Sequence, residues 1–214
     1  TFKHFDIKKE IEVIVNFVDV SRFQRQPINA FKKVIAPNGE RILLHASNFR
    51  KIKRVQDVVK IFAEVNKQIP SQLLFVGDGP ERSTAEDLAR ELGVCDEIQF
   101  VGKQEQMEDI MPIADLFLLT SEYESFGLAA LEAMAAGVPV VSTNAGGLSE
   151  IVTDGDNGYM GDVGDVATMS KHAIAILKDD IILNEFKKRA AEHAKKFDIS
   201  KIIPLYEKLY ERFL

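Results

Sequence analysis

The chain has 214 residues, 46% of them hydrophobic and 28% charged, which is enough apolar material for a buried core and argues against disorder. Its net charge of −6 argues against a surface for nucleic acid or anionic membrane, because both need an excess of Lys and Arg. The single cysteine, Cys95, excludes an internal disulfide, and the four histidines show no metal-ligand spacing, so we predict no metal site.

Short apolar runs alternate with amphipathic stretches. The apolar runs predict strands at Glu12–Asn16, Arg41–Ala46, Gln72–Val76, Glu97–Val101, Leu116–Thr120 and Pro139–Ser142. The stretches between them predict helices at Arg54–Ile69, Pro80–Leu92, Glu105–Ile113 and Leu128–Ala136. The runs lack a clean polar alternation, which is typical of parallel strands covered on both faces. The order predicts an α/β fold, a Rossmann-like doubly wound parallel sheet.

The chain after the turn cluster Asp154–Gly158 is predicted to be entirely helical, at Val163–Lys178, Asp180–Lys196 and Ile199–Phe213. The last helix carries apolar side chains at the 3-4 spacing of one face: Ile202, Leu205, Tyr206, Leu209, Tyr210 and Phe213. This stripe must pack either on the domain's own core or on a neighbouring domain, and the pattern leaves both open.

The segment from His45 to Arg54 concentrates positive charge after the second predicted strand. Four cations lie within five positions: Arg50, Lys51, Lys53 and Arg54. Such side chains beside free helix N–H groups form an anion site, in which charge and hydrogen bonds both favour phosphate. A solvated basic loop is the more common outcome for such a run, so the cluster alone does not decide.

A glycine-rich turn follows the next predicted strand. Gly77 and Gly79 allow backbone to approach a ligand closely. The third glycine of a dinucleotide fingerprint is missing, because Arg82 occupies that place. This turn is therefore weak evidence for an NAD site.

The helix that begins near Gly127 consists almost entirely of Leu, Ala and Met, and it should be buried on all sides. Glu132 nevertheless stands in its middle, and a buried carboxylate needs a partner. That partner is either a hidden cation or the hydroxyl groups of a ligand. Glu124, in the preceding loop, is within reach of a ligand held at the N–H groups of Phe126, Gly127 and Leu128.

Several spaced motifs resemble one enzyme family. Glu124–Glu132, followed by A-M-A-A-G-V-P-V-V, resembles the E-x7-E signature of glycosyltransferase family 4. Asn144–Val152 and Asp154–Gly158 continue the family's pattern, and Val15–Asp19 resembles the segment at which such enzymes re-enter their second domain. The resemblance covers essentially the whole chain. It implies one half of a GT-B fold and a retaining, metal-independent hexosyl transfer from a nucleotide sugar.

The resemblance also implies roles for single residues. Glu132 would accept hydrogen bonds from the ribose of UDP, and Glu124 would contact the transferred sugar. Lys53 matches the phosphate-binding lysine, with Arg50 assisting it. Most relatives have Arg where this chain has Asn48, so either Arg50 supplies that charge or the diphosphate contact is weaker. Further donor-binding positions are Asn48, Phe126, Gly127, Leu128, Gly77, Gly79, Gly102 and Lys103.

A narrower resemblance concerns Ala46–Val58, which is similar to a family member of the bacillithiol pathway. It implies UDP-N-acetylglucosamine as donor and L-malate as acceptor. The cytoplasmic location that we expect rests instead on the single cysteine, which fits a reducing compartment. Two alternatives stay open: a non-catalytic module that binds a nucleotide sugar, and a family 4 transferase with another acceptor. An NAD-dependent oxidoreductase is disfavoured by Arg82 and would leave Glu132 unexplained.

The resemblance divides the chain into three parts. Residues 1–24 are expected to hold the re-entry segment and a first strand, residues 25–196 the nucleotide-sugar-binding domain, and residues 197–214 a helix that packs on an N-terminal domain. The chain begins at Thr1 without Met, which is typical of a fragment or a processed product. We expect it to need the N-terminal domain for turnover. A homo-oligomer is left open.

Overall fold

A computed structural model describes residues 11–25 and 28–213 of the chain. Its centre is a parallel sheet of six strands in the order β3-β2-β1-β4-β5-β6. The strands are β1 (Arg41–Ser47), β2 (Ser71–Gly77), β3 (Ile98–Phe100), β4 (Leu116–Leu119), β5 (Val140–Thr143) and β6 (Gly158–Gly161). This order reverses between β1 and β4, as in doubly wound dinucleotide-binding sheets. The predicted Rossmann-like α/β fold is confirmed.

Helices cover both faces of the sheet. They are α1 (Val20–Phe23), α2 (Asn29–Ile35), α3 (Val55–Asn66), α4 (Arg82–Glu91), α5 (Met107–Ile110), α6 (Leu128–Ala135), α7 (Leu148–Ile151), α8 (Val166–Leu177), α9 (Asp180–Ala194) and α10 (Ile199–Glu211). In β1, Ile42 and Leu44 join the core beneath α6, whereas Leu43 joins the core beneath α3 and α8. Both strand faces are therefore buried, which explains the uninterrupted apolar runs. None of the described helices is both long enough and apolar enough to cross a membrane.

The predicted strand Glu12–Asn16 is wrong. Residues 11–17 form no strand, and the backbone pairs only at Val18, whose N–H donates to Phe197 O at 3.0 Å. Because β2 and β4 already occupy both sides of β1, the sheet has no central place for another strand. The expected first strand of the 1–24 segment is thus not found in its described part, and residues 1–10 lie outside the described residues.

The expectation of an entirely helical chain after Asp154–Gly158 is also wrong, because β6 adds an edge strand beside β5. Its sequence, Gly-Tyr-Met-Gly, has little strand propensity. Gly158 is needed for the pairing, since a Cβ there would collide with the carbonyl oxygen of Val140.

Two further expectations change in detail. The helix predicted at Glu105–Ile113 is split, with α5 followed by a 3-10 turn at Met111–Ile113, where Pro112 lacks a backbone donor. The sequence also predicts that Cys95 is a small buried apolar residue near a helix end, but it is exposed.

The apolar stripe that begins in α10 is only partly covered. Ile202 is buried, but Leu205 is 44% exposed, Tyr210 62% and Phe213 82%. Tyr206 and Leu209 are half-buried, and the Tyr206 ring packs edge-to-face on Phe17 with 6.5 Å between the ring centroids. The described residues therefore cover only part of this stripe.

Candidate functional site

Two neighbouring cavities lie at the carboxyl ends of the central strands, where ligands bind in open α/β sheets. Their volumes are about 300 and 350 Å³, and they share Ala46, Ser47 and Asn48 at the end of β1. The first cavity is also lined by Asn16, Lys53, Leu119, Glu124, Ser125, Phe126, Gly127, Leu128 and Ala129. The second is also lined by Val76, Gly77, Asp78, Lys103, Gln104 and Met107.

An ion pair forms one wall of the first cavity. Lys53 ends a 3-10 turn that follows β1, and Glu124 lies in the loop between β4 and α6. Their Nζ and Oε1 atoms are 2.5 Å apart, and Ser121 Oγ donates to the same carboxylate oxygen at 2.7 Å. The two side chains are only 20% and 13% exposed. The predicted phosphate-binding cation and the predicted sugar-binding carboxylate thus meet at one place.

The N-terminus of α6 faces the same cavity. Gly127 precedes the helix at φ +95°, and no side chain caps it. Within 11–25 and 28–213, no acceptor takes the N–H groups of Phe126, Gly127 and Leu128, although all three residues line the cavity. Free N–H groups and the helix dipole make this end electropositive, next to the Lys53 ammonium.

A glycine pair supports the Glu124 loop from behind. Gly147 N donates to Glu124 O at 2.8 Å. A Cβ on Gly146 would collide with that same carbonyl oxygen, and one on Gly147 would collide with Ser125 O. The loop that follows β5 therefore fixes the backbone of Glu124. In the sequence these glycines are visible only as part of a family pattern; their role behind Glu124, like the contact of Ser121, depends on tertiary packing.

Glu132 does not lie in a fully buried helix, contrary to expectation. One face of α6 is open: Leu128 is 45% exposed, and Glu132, one turn later, is half-buried. The Glu132 carboxylate makes no hydrogen bond or ion pair with any described residue. Burial raises its pKa, and the charge of Arg22 opposes that rise. Arg22 itself is bound to Glu108 at 3.0 Å.

Some predicted site residues lie outside the two cavity linings. Arg50 is exposed and lines neither cavity, and Glu132 lines neither. Gly79 and Gly102 stand directly behind the second cavity. A Cβ on Gly79 would collide with Asn48 O, and Gly102 O accepts from Gly77 N at 2.8 Å. The described parts of the chain hold no group of three or more His, Cys, Asp and Glu side chains arranged for a metal ion.

The family of this chain follows from comparison with known proteins. The family of glycosyl transferases group 1 matches residues 28–197. The chain belongs to this family.

Two curated relatives illustrate the similarity. The chain is 42% identical over 204 residues to N-acetyl-alpha-D-glucosaminyl L-malate synthase of Bacillus anthracis, covering 94% of the chain and 54% of the relative. It is 30% identical over 209 residues to D-inositol 3-phosphate glycosyltransferase of Corynebacterium kroppenstedtii, covering 91% and 46%. The chain thus spans about half the length of these relatives.

Solved structures share the fold. HepE of Anabaena in complex with UDP matches with a TM-score of 0.85 at 24% identity, covering 94% of the chain and 57% of that protein. TarM of S. aureus matches with a TM-score of 0.82 at 22% identity, covering 97% and 41%. These likenesses confirm the predicted half of a GT-B fold.

Proposed function

We propose that the chain is the nucleotide-sugar-binding half of a retaining glycosyltransferase that transfers N-acetylglucosamine from UDP-N-acetylglucosamine to L-malate. The observation that carries the proposal is the meeting of Lys53, Glu124 and the uncapped N-terminus of α6 in one cavity. Family membership supports glycosyl transfer, and the name of the 42% identical relative supports the N-acetylglucosaminyl group and the L-malate acceptor. The structure of HepE in complex with UDP supports the nucleotide.

The cavity suits a diphosphate whose bond to the sugar is breaking. The leaving UDP gains negative charge in the transition state, and donors fixed in advance stabilise that charge. Lys53 supplies a charge, and the N–H groups at Phe126 to Leu128 supply hydrogen bonds. No metal ion is required in this proposal, because these fixed groups take its place. Arg50 lines neither cavity, so Lys53 carries the charge contact.

The remaining residues are proposed to bind different parts of the nucleotide sugar. Glu124 accepts hydrogen bonds from the hydroxyls of the transferred sugar, and its pairing with Lys53 holds the carboxylate in the cavity. Glu132 lines neither cavity, but it lies one turn beyond Leu128 of the first cavity on the open face of α6. From there it accepts from the ribose hydroxyls, which supply the partners that the described protein residues do not. The second cavity, with backbone at Gly102 and Lys103, takes the base.

The acceptor site is proposed to lie mainly on an N-terminal domain. The chain spans about half the length of its relatives, and the uncovered stripe at Leu205, Tyr210 and Phe213 gives that domain an apolar surface on which to pack. The chain alone would then bind the donor without transferring its sugar.

Isothermal titration of the chain with UDP, ADP, GDP, UDP-N-acetylglucosamine and NADH tests the donor class. We expect UDP and its sugar to bind more tightly than the other three. Tight NADH binding without UDP binding would contradict the proposal. In a parallel assay of UDP release with L-malate, turnover by the chain alone would contradict its role as an incomplete half. Donor binding by a longer chain that also holds the preceding domain, without turnover, would favour the non-catalytic module.

A further inference from the structure

His45 is a buried titratable residue that the proposed function does not use. It lies near the end of β1 and is 0% exposed, with its ring 5.4 Å from that of Phe75 and 6.1 Å from that of Phe49. Nδ1 is 2.9 Å from Leu118 O in β4, and Nε2 is 2.8 Å from Ser47 Oγ. Both ring nitrogens therefore have a partner.

The direction of these hydrogen bonds follows from the chemistry of the partners. A carbonyl oxygen only accepts, so His45 Nδ1 carries the proton that Leu118 O takes. Burial, together with the nearby Lys53 charge, lowers the pKa of His45 to about 4, so the ring is neutral near pH 7. Its Nε2 then accepts, and the Ser47 hydroxyl must donate to it. The lone pairs of Ser47 Oγ stay free for other donors.

One of those lone pairs fixes a strained turn. Phe49 N donates to Ser47 Oγ at 3.2 Å, and Phe49 has φ +38°, in the left-handed region that bulky residues avoid. Such a conformation persists only where its surroundings hold it in place. Here the Phe49 ring is fully buried, and its carbonyl oxygen accepts from Glu81 N at 3.0 Å.

The turn from Ser47 to Phe49 is the wall common to both cavities. Ser47 and Asn48 line each of them. Gly77 and Gly79 lie in backbone contact with the same turn, since a Cβ on either would collide with Ser47 O or Asn48 O. A shift of this turn would therefore change the first and the second cavity together.

We propose that His45 is a positioning residue for the nucleoside diphosphate: acting through Ser47, it holds the turn that joins the two halves of the donor site. This inference rests on the proposed function. His45 itself lines neither cavity, so it acts on the site only through Ser47.

Two substitutions of His45 distinguish the effect of its hydrogen bond with Ser47 from an effect of packing alone. Gln places an amide near the position of Nε2 and keeps a partner for Ser47, whereas Asn places one near Nδ1 and keeps only the bond to Leu118 O. We expect His45→Asn to weaken UDP binding about fivefold to tenfold, the loss of roughly one neutral hydrogen bond, and His45→Gln to bind within about twofold of the unaltered chain. The reverse order, or equal affinity for both variants, would overturn the inference.

Ser47→Ala supplies a second, independent measurement that does not require a change inside the core. If His45 acts through Ser47, the double variant His45→Asn/Ser47→Ala binds UDP no more weakly than Ser47→Ala alone. Additive losses would show that His45 acts by another route. If His45→Asn does not fold, Ser47→Ala alone tests the inference. We expect its affinity for UDP to fall about fivefold to tenfold. Unchanged affinity for UDP would overturn the inference.

Asp115→Asn is the matched control. Asp115 is a buried polar residue just before β4, at the amino end of the sheet. It accepts a hydrogen bond from the N–H of Ile42, which lies in β1, the strand that also contains His45. The control should lower stability to urea and leave UDP affinity unchanged. Absence of UDP binding by the unaltered chain would overturn the proposed function together with this inference. UDP binding that survives all changes at His45 and Ser47 would overturn only the inference.

Discussion

Two carboxylate–lysine pairs lie at opposite ends of the strands of the sheet. At the amino edge, Asp115 Oδ1 accepts from Lys187 Nζ at 2.7 Å, and Oδ2 accepts from Ile42 N at 3.1 Å. At the carboxyl edge, Glu124 accepts from Lys53 and Ser121. The carboxylates are similarly shielded, at 5% exposed for Asp115 and 13% for Glu124.

The difference lies in what surrounds each pair. Asp115 lines neither cavity and ties β1 and α9 to the start of β4. The Lys53–Glu124 pair opens on a cavity of about 300 Å³, beside N–H groups that have no acceptor among the described residues. Burial and pairing alone therefore do not mark a functional residue. The adjoining space and the unused donors are the reasons for which we propose the Lys53–Glu124 pair, and not the Asp115 pair, as part of a binding site.

Removal of Asp115 should have the largest effect on the fold. Asp115→Ala leaves the Lys187 ammonium and the Ile42 N–H without their acceptor, so we expect the free energy of unfolding to fall by about 3 kcal/mol. Urea denaturation measures this loss. Titration with UDP under folding conditions should show unchanged affinity. A parallel loss of affinity would mean that the amino end of the sheet also influences UDP binding at its carboxyl end.

Removal of Lys53 should do the opposite: it should weaken UDP binding and leave the stability of the fold nearly unchanged. Lys53→Met keeps most of the side-chain length and removes the charge, so UDP affinity should fall about 10-fold to 100-fold, the loss of a charged hydrogen bond. Because Glu124 keeps Ser121 and borders open space, the free energy of unfolding should change by about 1 kcal/mol or less. Lys51→Met, in the same 3-10 turn, is the control. Equal UDP affinity of the two variants would remove Lys53 from the site.

Glu132→Gln tests the contact with the ribose separately from the contacts with the phosphates. We expect UDP affinity to fall about fivefold to tenfold and the affinity for inorganic phosphate to stay unchanged, because Gln accepts hydrogen bonds from hydroxyls less strongly than a carboxylate does. Glu91→Gln, on the exposed end of α4, is the matched control. Equal losses for both ligands would contradict the ribose role.

The pH dependence of stability gives the smallest expected effect. Burial raises the pKa of Glu132 in the folded chain, so its charged form disfavours folding as pH rises above the ordinary carboxyl value of about 4.3. Without nucleotide, Glu132→Gln should therefore unfold at a higher urea concentration than the unaltered chain at pH 7. The difference should vanish near pH 4 and below. A constant difference across this range would assign the effect to packing.

The sequence predicted the sheet wherever strands are buried on both faces, because their apolar runs are uninterrupted. It failed at Gly158–Gly161, an edge strand built on glycines. It failed also at Glu12–Asn16, an apolar run that forms no strand, since β2 and β4 occupy both places beside β1. The short helices α1, α2 and α7 also escaped prediction, since one or two turns carry too little periodicity.

For the candidate site, the rule that ligands bind at carboxyl strand ends predicted the end of the sheet at which both cavities lie. The convergence of Lys53 and Glu124, however, came from family resemblance, because these residues are far apart in the chain. The contacts of Ser121 and of His45 with Ser47 depend on side-chain directions that no local pattern encodes.

The glycine pair behind Glu124 extends the functional footprint of the site beyond the atoms that face a ligand. Gly146 and Gly147 touch the backbone at Glu124 and Ser125 so closely that even a methyl group would push that loop out of place. A map of tolerated substitutions would thus show intolerant positions in the loop after β5, although neither glycine lines either cavity. Redesign of donor preference has to leave these two positions untouched.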